Sequence, residues 1–529
     1  MSPLRYGSSA FVLLALAGSA LAQPESEPGP GSEDVPEGTP APAPGDDGPD
    51  ETSPDDADAS RRPVDEVPDD TIALPAPASA PVDVAPAPRP VAEADADAPA
   101  EPTGFAFGSY GRVLAGSDLR GGTPEKIAVV AHAPRIVEPS YVETDLYYRF
   151  VTPRGVKMRT VTTLAFDDTL FHYTGQFDAR PALRNLFLEA RTPQGITLWA
   201  GSRMYRGDDI YLFDWWPLDE LNTVGGGASV ARGDLDVAVQ AGVNRLLDPF
   251  QYQTEQVADP EFGADTVTTL DRQRLIASSY ATYHLGLPGG VDGKVKVYGE
   301  LQSLPSGDRR RNDDTLEHLP QDWGATLGLQ LGAWGFGGAD SGSHANLFAR
   351  WSKGLTAFDE LAPATGLDGS LAAWPGASEL VLGAAGAYGD GWGHVIAGAY
   401  TRRFVDADAS TMDRDDGWEY AADIRPEVAV AGDVMAGVDV SYQARFPRGL
   451  SPTTLLAADP AVFQVAPMIV YAPMGRGAWS RPQLRLVWRI AKLNDAALDA
   501  YAIDDPRRAH STVHFLGVQA EWWFNSSTR

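Results

Sequence analysis

From Phe105 to Phe524 the chain is a succession of short segments in which apolar and polar residues alternate, broken by turn clusters such as Pro153-Arg154-Gly155, Gly289-Gly290 and Asp413–Gly417. Alternation with a period of two is the signature of strands that present one face to an apolar medium. It is clear in Phe105–Leu114, Tyr141–Phe150, Ser441–Phe446, Gln483–Lys492 and Thr512–Phe524, whereas amphipathic helical periodicity is scarce. Many strands and few helices over about 425 residues predict one large antiparallel β-barrel, residues 104–529, rather than several domains.

The start of the chain narrows this further. Met1–Ser9 carries Arg5, Ala10–Gly18 is a short apolar run, and Ala20-Leu21-Ala22 ends in small residues, which is the pattern of a cleaved secretory signal over residues 1–22. No later run reaches eighteen apolar residues, so a membrane helix is not expected. An exported chain of this kind that enters a membrane must do so as a closed barrel, because only helices and closed barrels satisfy the backbone there. The chain has no cysteine, which removes disulfides, thiolate-bound zinc and cysteine nucleophiles.

Residues 23–103 are a low-complexity run of Pro, Ala, Asp and Glu with 21 acidic residues against three arginines, and they carry most of the net charge of −30. Such a segment buries too little apolar surface to offset its ordering entropy and is expected to be a disordered periplasmic tail. The acidic balance excludes nucleic acid as a partner, since phosphates demand lysine and arginine.

The faces of the strands are chemically distinct. In Gln483–Lys492 one face holds Leu484, Leu486, Trp488 and Ile490, and the other Arg485, Val487 and Arg489. In Tyr141–Phe150, Val142, Leu146, Tyr148 and Phe150 share one face, while Tyr141, Glu143, Asp145, Tyr147 and Arg149 share the other. A polar face that is aromatic and charged together suits a wet, sugar-lined lumen with lipid on the opposite side. The last strand puts Val518, Ala520, Trp522 and Phe524 on one parity, as an interfacial girdle requires, with Asn525–Arg529 running beyond it.

The stretch Leu198–Gly227 is the most informative. Leu198–Tyr205 reads as a strand, Gly207-Asp208-Asp209 as a turn, and the following loop packs Tyr211, Phe213, Trp215 and Trp216 among Asp208, Asp209, Asp214 and Asp219. So many rings in an exposed loop point to a loop folded back into the barrel as a constriction. Rings stack on the C–H face of a pyranose while carboxylates and guanidiniums exchange hydrogen bonds with its hydroxyl belt, and several weak sites in series permit passage.

The Trp199–Tyr205 strand (WAGSRMY) with its Asp-rich aromatic loop, Trp479-Ser480-Arg481-Pro482, Glu521-Trp522-Trp523-Phe524 and Phe107–Arg112 together resemble the maltoporin family, in order from Phe105 to Phe524. The resemblance implies an eighteen-stranded outer-membrane barrel, a homotrimer among outer-membrane lipid and lipopolysaccharide, and facilitated diffusion of maltodextrins or other oligosaccharides. It implies an aromatic slide at Tyr110, Tyr141, Tyr420 and Trp523, with Trp216 in the constriction. The ionic track would comprise Arg112, Arg135, Glu143, Arg184, Asp209 and Asp214. Gly207 stands where the family has a constriction arginine, and Arg206 is the adjacent substitute. Tyr173 and Phe177 are candidates for a ring contributed by an external loop. The N-terminal tail has a loose parallel in the sucrose porins, which carry a periplasmic extension of different composition.

Other readings stay open at this stage. Each ring could be a girdle or packing residue, and Arg112 and Glu143 could be a wall-stiffening ion pair. A general diffusion pore is the alternative function. An enzyme is not expected: the eight histidines are scattered, and neither HExxH nor GxSxG occurs. No cofactor is expected, although the acidic loop Asp413–Asp416 is a candidate for calcium through oxygen ligands.

Overall fold

The computed structural model describes residues 103–167, 181–244, 252–259, 263–311, 314–337, 342–358, 376–406, 416–451, 454–499, 501 and 503–527. The signal segment, nearly all of the acidic tail, Tyr173, Phe177 and Asp413–Asp415 lie outside these residues.

Among the described residues twenty-two strands run in chain order: β1 Gly104–Ser117, β2 Tyr141–Val151, β3 Lys157–Asp167, β4 Ala182–Arg191, β5 Ile196–Tyr205, β6 Leu221–Arg232 and β7 Leu235–Asn244. A small hairpin, β8 Tyr252–Asp259 with β9 Gly263–Asp271, precedes β10 Arg274–Leu287 and β11 Val291–Leu304. A second, β12 Gly307–Arg310 with β13 Leu316–Leu319, precedes β14 Asp322–Trp334. The rest are β15 His344–Gly354, β16 Ser378–Asp390, β17 Gly393–Val405, β18 Gly417–Ala431, β19 Val434–Pro447, β20 Ala461–Tyr471, β21 Gln483–Leu493 and β22 Thr512–Phe524.

Apart from the two small hairpins, the strands form one 18-stranded antiparallel sheet that closes where β1 pairs with β22, Tyr110 opposite Trp523. Closure removes the unpaired edges that an open sheet would expose. Connections alternate in character: tight turns such as 152–156 and 192–195 at one end, long loops such as 118–140 and 206–220 at the other.

Burial follows sequence parity. Along β21 the inward residues include Gln483, Val487, Arg489 and Ala491, while Leu484, Leu486 and Trp488 point outward. Outward aromatics collect at both rims. Phe107 lies 5.7 Å from Phe524, and Tyr148 6.0 Å from Phe150, at the short-turn end. Trp418, Tyr420 and Phe446 form a matching group at the long-loop end. An apolar wall flanked by two aromatic belts is the surface a bilayer selects.

Two long loops fold into the interior. Val130 and Ala133 from loop 118–140 pack with Ile210, Phe213, Trp215 and Leu218 from loop 206–220, against Phe348, Val381 and Tyr400 of the wall. Close approach is possible because the wall is thinned with glycine: a Cβ at Gly398 would stand 2.7 Å from the Ile210 side chain, and one at Gly328 2.6 Å from Leu218.

Candidate channel constriction and binding surface

Loop 206–220 makes the constriction. Its expected turn at Gly207–Asp209 does not form there; the segment has no regular structure. The chain reverses at Tyr211–Phe213, where Asp214 adopts a left-handed conformation (φ 51°) and Ile210 bridges Trp215. Aspartate tolerates that conformation through its short polar side chain, so the reversal needs no glycine.

The loop is fastened by charge. Lys294 and Lys296 reach Asp208 and Asp219 at 2.5 Å each. Desolvation of the half-buried Asp208 would raise its pKa, but Lys294, and after it Lys296, outweigh this and hold its carboxyl below the usual range. Arg112 donates to Asp214 at 3.0 Å, and Arg350 to the Pro217 carbonyl at 2.9 Å. At the centre Glu521 accepts from Tyr211 Oη at 2.8 Å, from Arg481 and Arg485, each at 2.9 Å at the nearest, and from Arg135 at 3.3 Å.

Loop 118–140 locks this from the other side. The Arg135 N–H donates to the Leu212 carbonyl at 2.9 Å, and His132 stacks on Trp215 with centroids 3.9 Å apart. Burial, and after it Arg402 and Arg350, push the His132 pKa well below the ordinary value, so it stacks as a neutral ring.

Apart from Tyr420, the expected slide and track residues fall into three groups. Tyr110, Arg112, Arg135 and Asp214 form one network: both arginines donate to Tyr110 Oη at 3.2 Å, and Arg135 lies 3.7 Å from Asp214. Tyr141, Glu143 and Arg184 form a second, in which Arg184 pairs with Glu143 at 2.7 Å and hydrogen bonds with Tyr141, whose hydroxyl donates to Glu143. The two networks meet where Arg112 lies over the Tyr141 ring at 5.3 Å.

Arg206, Asp209, Trp216 and Trp523 belong to the third group, which lines an open lumenal cavity of about 730 Å³. Arg206 sits 3.8 Å above the Trp216 ring and pairs with Glu220 at 3.4 Å. Arg481 covers Trp523 at 4.1 Å.

Tyr420 does not belong with them. It is on the outward face of β18, 41% exposed, 6.0 Å from Trp418. Its inward neighbours are Glu419 and Ala421, so strand parity places the ring in the outer belt rather than the lumen. Asp416, the described member of the acidic loop, accepts the Asp406 N–H and pairs with Arg448 at 3.2 Å.

Several lumenal rings lie within the quoted motifs and strand faces but are not among the expected slide residues. The connection between β20 and β21 folds inward and sets Trp479 5.1 Å from Tyr211. Nearer the short-turn end, Tyr147, Phe187 and Trp199 cluster with Tyr205 alongside. The common parity of Trp199, Arg203 and Tyr205 is the signal that could find them.

Residues beyond the last strand also turn inward. Tyr147 Oη donates to the Asn525 carbonyl at 2.6 Å, and the Ser527 N–H and Oγ both donate to Asp145.

The comparisons bear on identity once this geometry is in view. No curated protein sequence matches this chain. Among solved structures, OpdK of Pseudomonas aeruginosa with vanillate aligns at 10% identity over 79% of this chain and 98% of its own, with a TM-score of 0.37. OccAB1 of Acinetobacter baumannii aligns at 12% identity over 79% and 95%, also at 0.37. A Rh. blastica porin mutant aligns at 11% identity over 79% and 100%, at 0.34. The LamB porin family model matches residues 105–524, which is the barrel from its first strand to its last. The chain therefore belongs to the LamB porin family, and is an outer-membrane β-barrel channel for solute diffusion rather than an enzyme.

Proposed function

We propose that this channel is selective for sugars, conducting oligosaccharides by facilitated diffusion after export with cleavage of residues 1–22, and assembling as a homotrimer in the outer membrane. The observation that carries the sugar reading is the mixed lining of the lumenal cavity. Trp216, Trp479 and Trp523 stand beside Arg206, Asp208, Asp209, Asp219, Lys294 and Lys296 within one space of about 730 Å³.

Rings give a pyranose face something to stack on, and the interleaved charges offer both donors and acceptors to its hydroxyls. The Trp479 indole N–H is buried at the cavity wall without a partner among the described residues, a donor available to a passing hydroxyl. Such contacts are individually weak and closely spaced, which favours transit over trapping.

The second reading is a general diffusion pore. It is favoured by the guanidiniums of Arg481 and Arg135, which cover Trp523 and Tyr211 at 4.1 and 4.7 Å and occupy ring faces a sugar would otherwise use.

Single-channel conductance in a planar bilayer, titrated with maltodextrins, sucrose and glucose, separates the two. Saturable block by any of them is the expected result. Conductance that none of them reduces would leave only the general pore.

A further inference from the structure

We infer a second ligand position in the lumen, between the constriction and the short-turn end, built to hold the carboxylate of an acidic sugar such as a uronate. The inference rests on the sugar reading of the channel and adds the charge of the substrate.

Strand register brings the parts together. Arg149 stands opposite Arg159, Arg159 opposite Glu189, and Glu189 opposite Trp199, so four inward side chains form one row across β2–β5. A row crossing three strand spacings is about 15 Å long. The next row toward the constriction holds Tyr147, Val161 and Phe187, then Gly201. Gly201 has φ +135°, and a Cβ there would stand 2.2 Å from the Leu186 carbonyl oxygen, so glycine is what lets β5 pair closely with β4 at this row. Gly227 makes room for the Trp199 ring, whose indole nitrogen would lie 2.3 Å from an added Cβ.

The rings of this group are not an open platform. Arg203 sits over Phe187, Tyr205 and Trp199 at 4.7, 5.2 and 5.3 Å. A guanidinium held among three rings keeps its edge N–H groups for hydrogen bonding while its faces are taken. Glu189 bridges Arg159 at 2.9 Å and Arg203 at 3.2 Å. Both arginines remain partly open to the lumen, with side chains 33% and 25% exposed. Arg159 Nε and Tyr205 Oη are buried polar atoms with no hydrogen-bond partner among the described residues.

The exposure of its arginines separates this position from the constriction. At the constriction each lysine has its own aspartate, and the guanidiniums of Arg135, Arg481 and Arg485 that share Glu521 are buried. Here one carboxylate is shared between two guanidiniums, in a chain whose net charge is −30. A cationic spot with spare donors and ring walls fits a carboxylate attached to a pyranose better than it fits a neutral sugar. Guanidinium–carboxylate bonds are charge-assisted and roughly twice as strong as neutral ones.

The test compares block of single-channel current by trigalacturonate and by maltotriose, in the full-length protein and in two variants. The acidic sugar is expected to block at about tenfold lower concentration than the neutral one. That ratio should fall toward one in Arg159→Gln and rise in Glu189→Gln, which leaves the arginines without their shared counter-ion. Two opposite shifts cannot come from general damage to the barrel. Equal block by both sugars in the wild type would overturn the inference and leave the sugar channel standing. A ratio that neither variant moves would overturn the assignment to this row. Block by neither sugar would overturn the sugar channel itself, and this position with it.

Discussion

Glu521→Gln is the sharpest test of how the constriction is held. The wild-type carboxylate accepts from Tyr211 in the constriction loop and from Arg481, Arg485 and Arg135, and it is 3% exposed. Glutamine keeps the shape and one acceptor oxygen but removes the charge. A hydrogen bond to a charged group contributes about 1.5–3 kcal/mol, against about 0.5–1.5 for a neutral one, so three guanidinium contacts lose about 3 kcal/mol together. The amide would also set an N–H against the surrounding donors. A shift of that size changes a two-state ratio by roughly a hundredfold. The sheet has its own ladder of backbone bonds and should stay closed, with the change confined to loop 206–220 and loop 118–140. The expected readout is greater open-channel current noise and weaker sugar block at unchanged heat-modifiability of the barrel on a gel. Wild-type noise and wild-type block in Glu521→Gln would show that the loop is held by its apolar packing, and the electrostatic account would be wrong.

Trp216→Ala should raise conductance and weaken sugar block about tenfold, because it removes a cavity-lining ring and leaves Arg206 without the surface it stacks on; unchanged titrations would take Trp216 out of the pathway. Tyr420→Ala should leave conductance and block at wild-type values, since the ring is outside, and the same bilayer measurement checks it. Acidification should loosen loop 118–140. The neutral His132 has a folded-state pKa far below its ordinary 6.5, so its stabilising effect is complete above that value and falls as pH drops below it. The loss is about 1.4 kcal/mol per pH unit for one proton. Current noise rising between pH 6.5 and pH 5 in the wild type and not in His132→Phe is the expected outcome. Over the same range the Asp208 anchor should hold, because its depressed pKa keeps it ionised until pH falls below the usual carboxylate value; in Asp208→Asn the noise should already be high at neutral pH.

Strand parity makes most of the barrel legible. Tyr141, Glu143, Asp145, Tyr147 and Arg149 share the inward face, as their alternation with Val142, Leu146, Tyr148 and Phe150 indicates. At Tyr420 a likeness of motif outweighs that rule and misplaces the ring. In Trp418-Glu419-Tyr420-Ala421-Ala422-Asp423-Ile424-Arg425 the charged residues hold the odd positions and the large apolar ones the even. Alternation alone sends Tyr420 outward with Trp418. Other features have no periodic signal to read. The connection 472–482 enters the lumen through side-chain contacts to Tyr211 and Glu521, 270 and 40 residues away along the chain, and no local pattern encodes such a meeting.

The arginines explain why the lumen is not simply a ladder of bare rings. Tyr110 is 2% exposed, with its hydroxyl held by Arg112 and Arg135, while Tyr211 and Trp523 carry Arg135 and Arg481 on their faces. A guanidinium over a ring gives up one stacking surface and supplies a fan of donors in its place. Passing hydroxyls would then meet N–H groups where a bare slide would offer aromatic faces; Trp216 in the loop likewise carries Arg206 at 3.8 Å, and the remaining stacking falls to Trp479 of the infolded connection, so both features belong to those segments rather than to the wall. Selectivity in this chain is therefore tied to how firmly those two segments are held, and the carboxylate of Glu521 touches both: it accepts from Tyr211 in one and from Arg481 in the other. If the binding surface were built on the wall alone, loosening that carboxylate would change the current without changing which sugars block it.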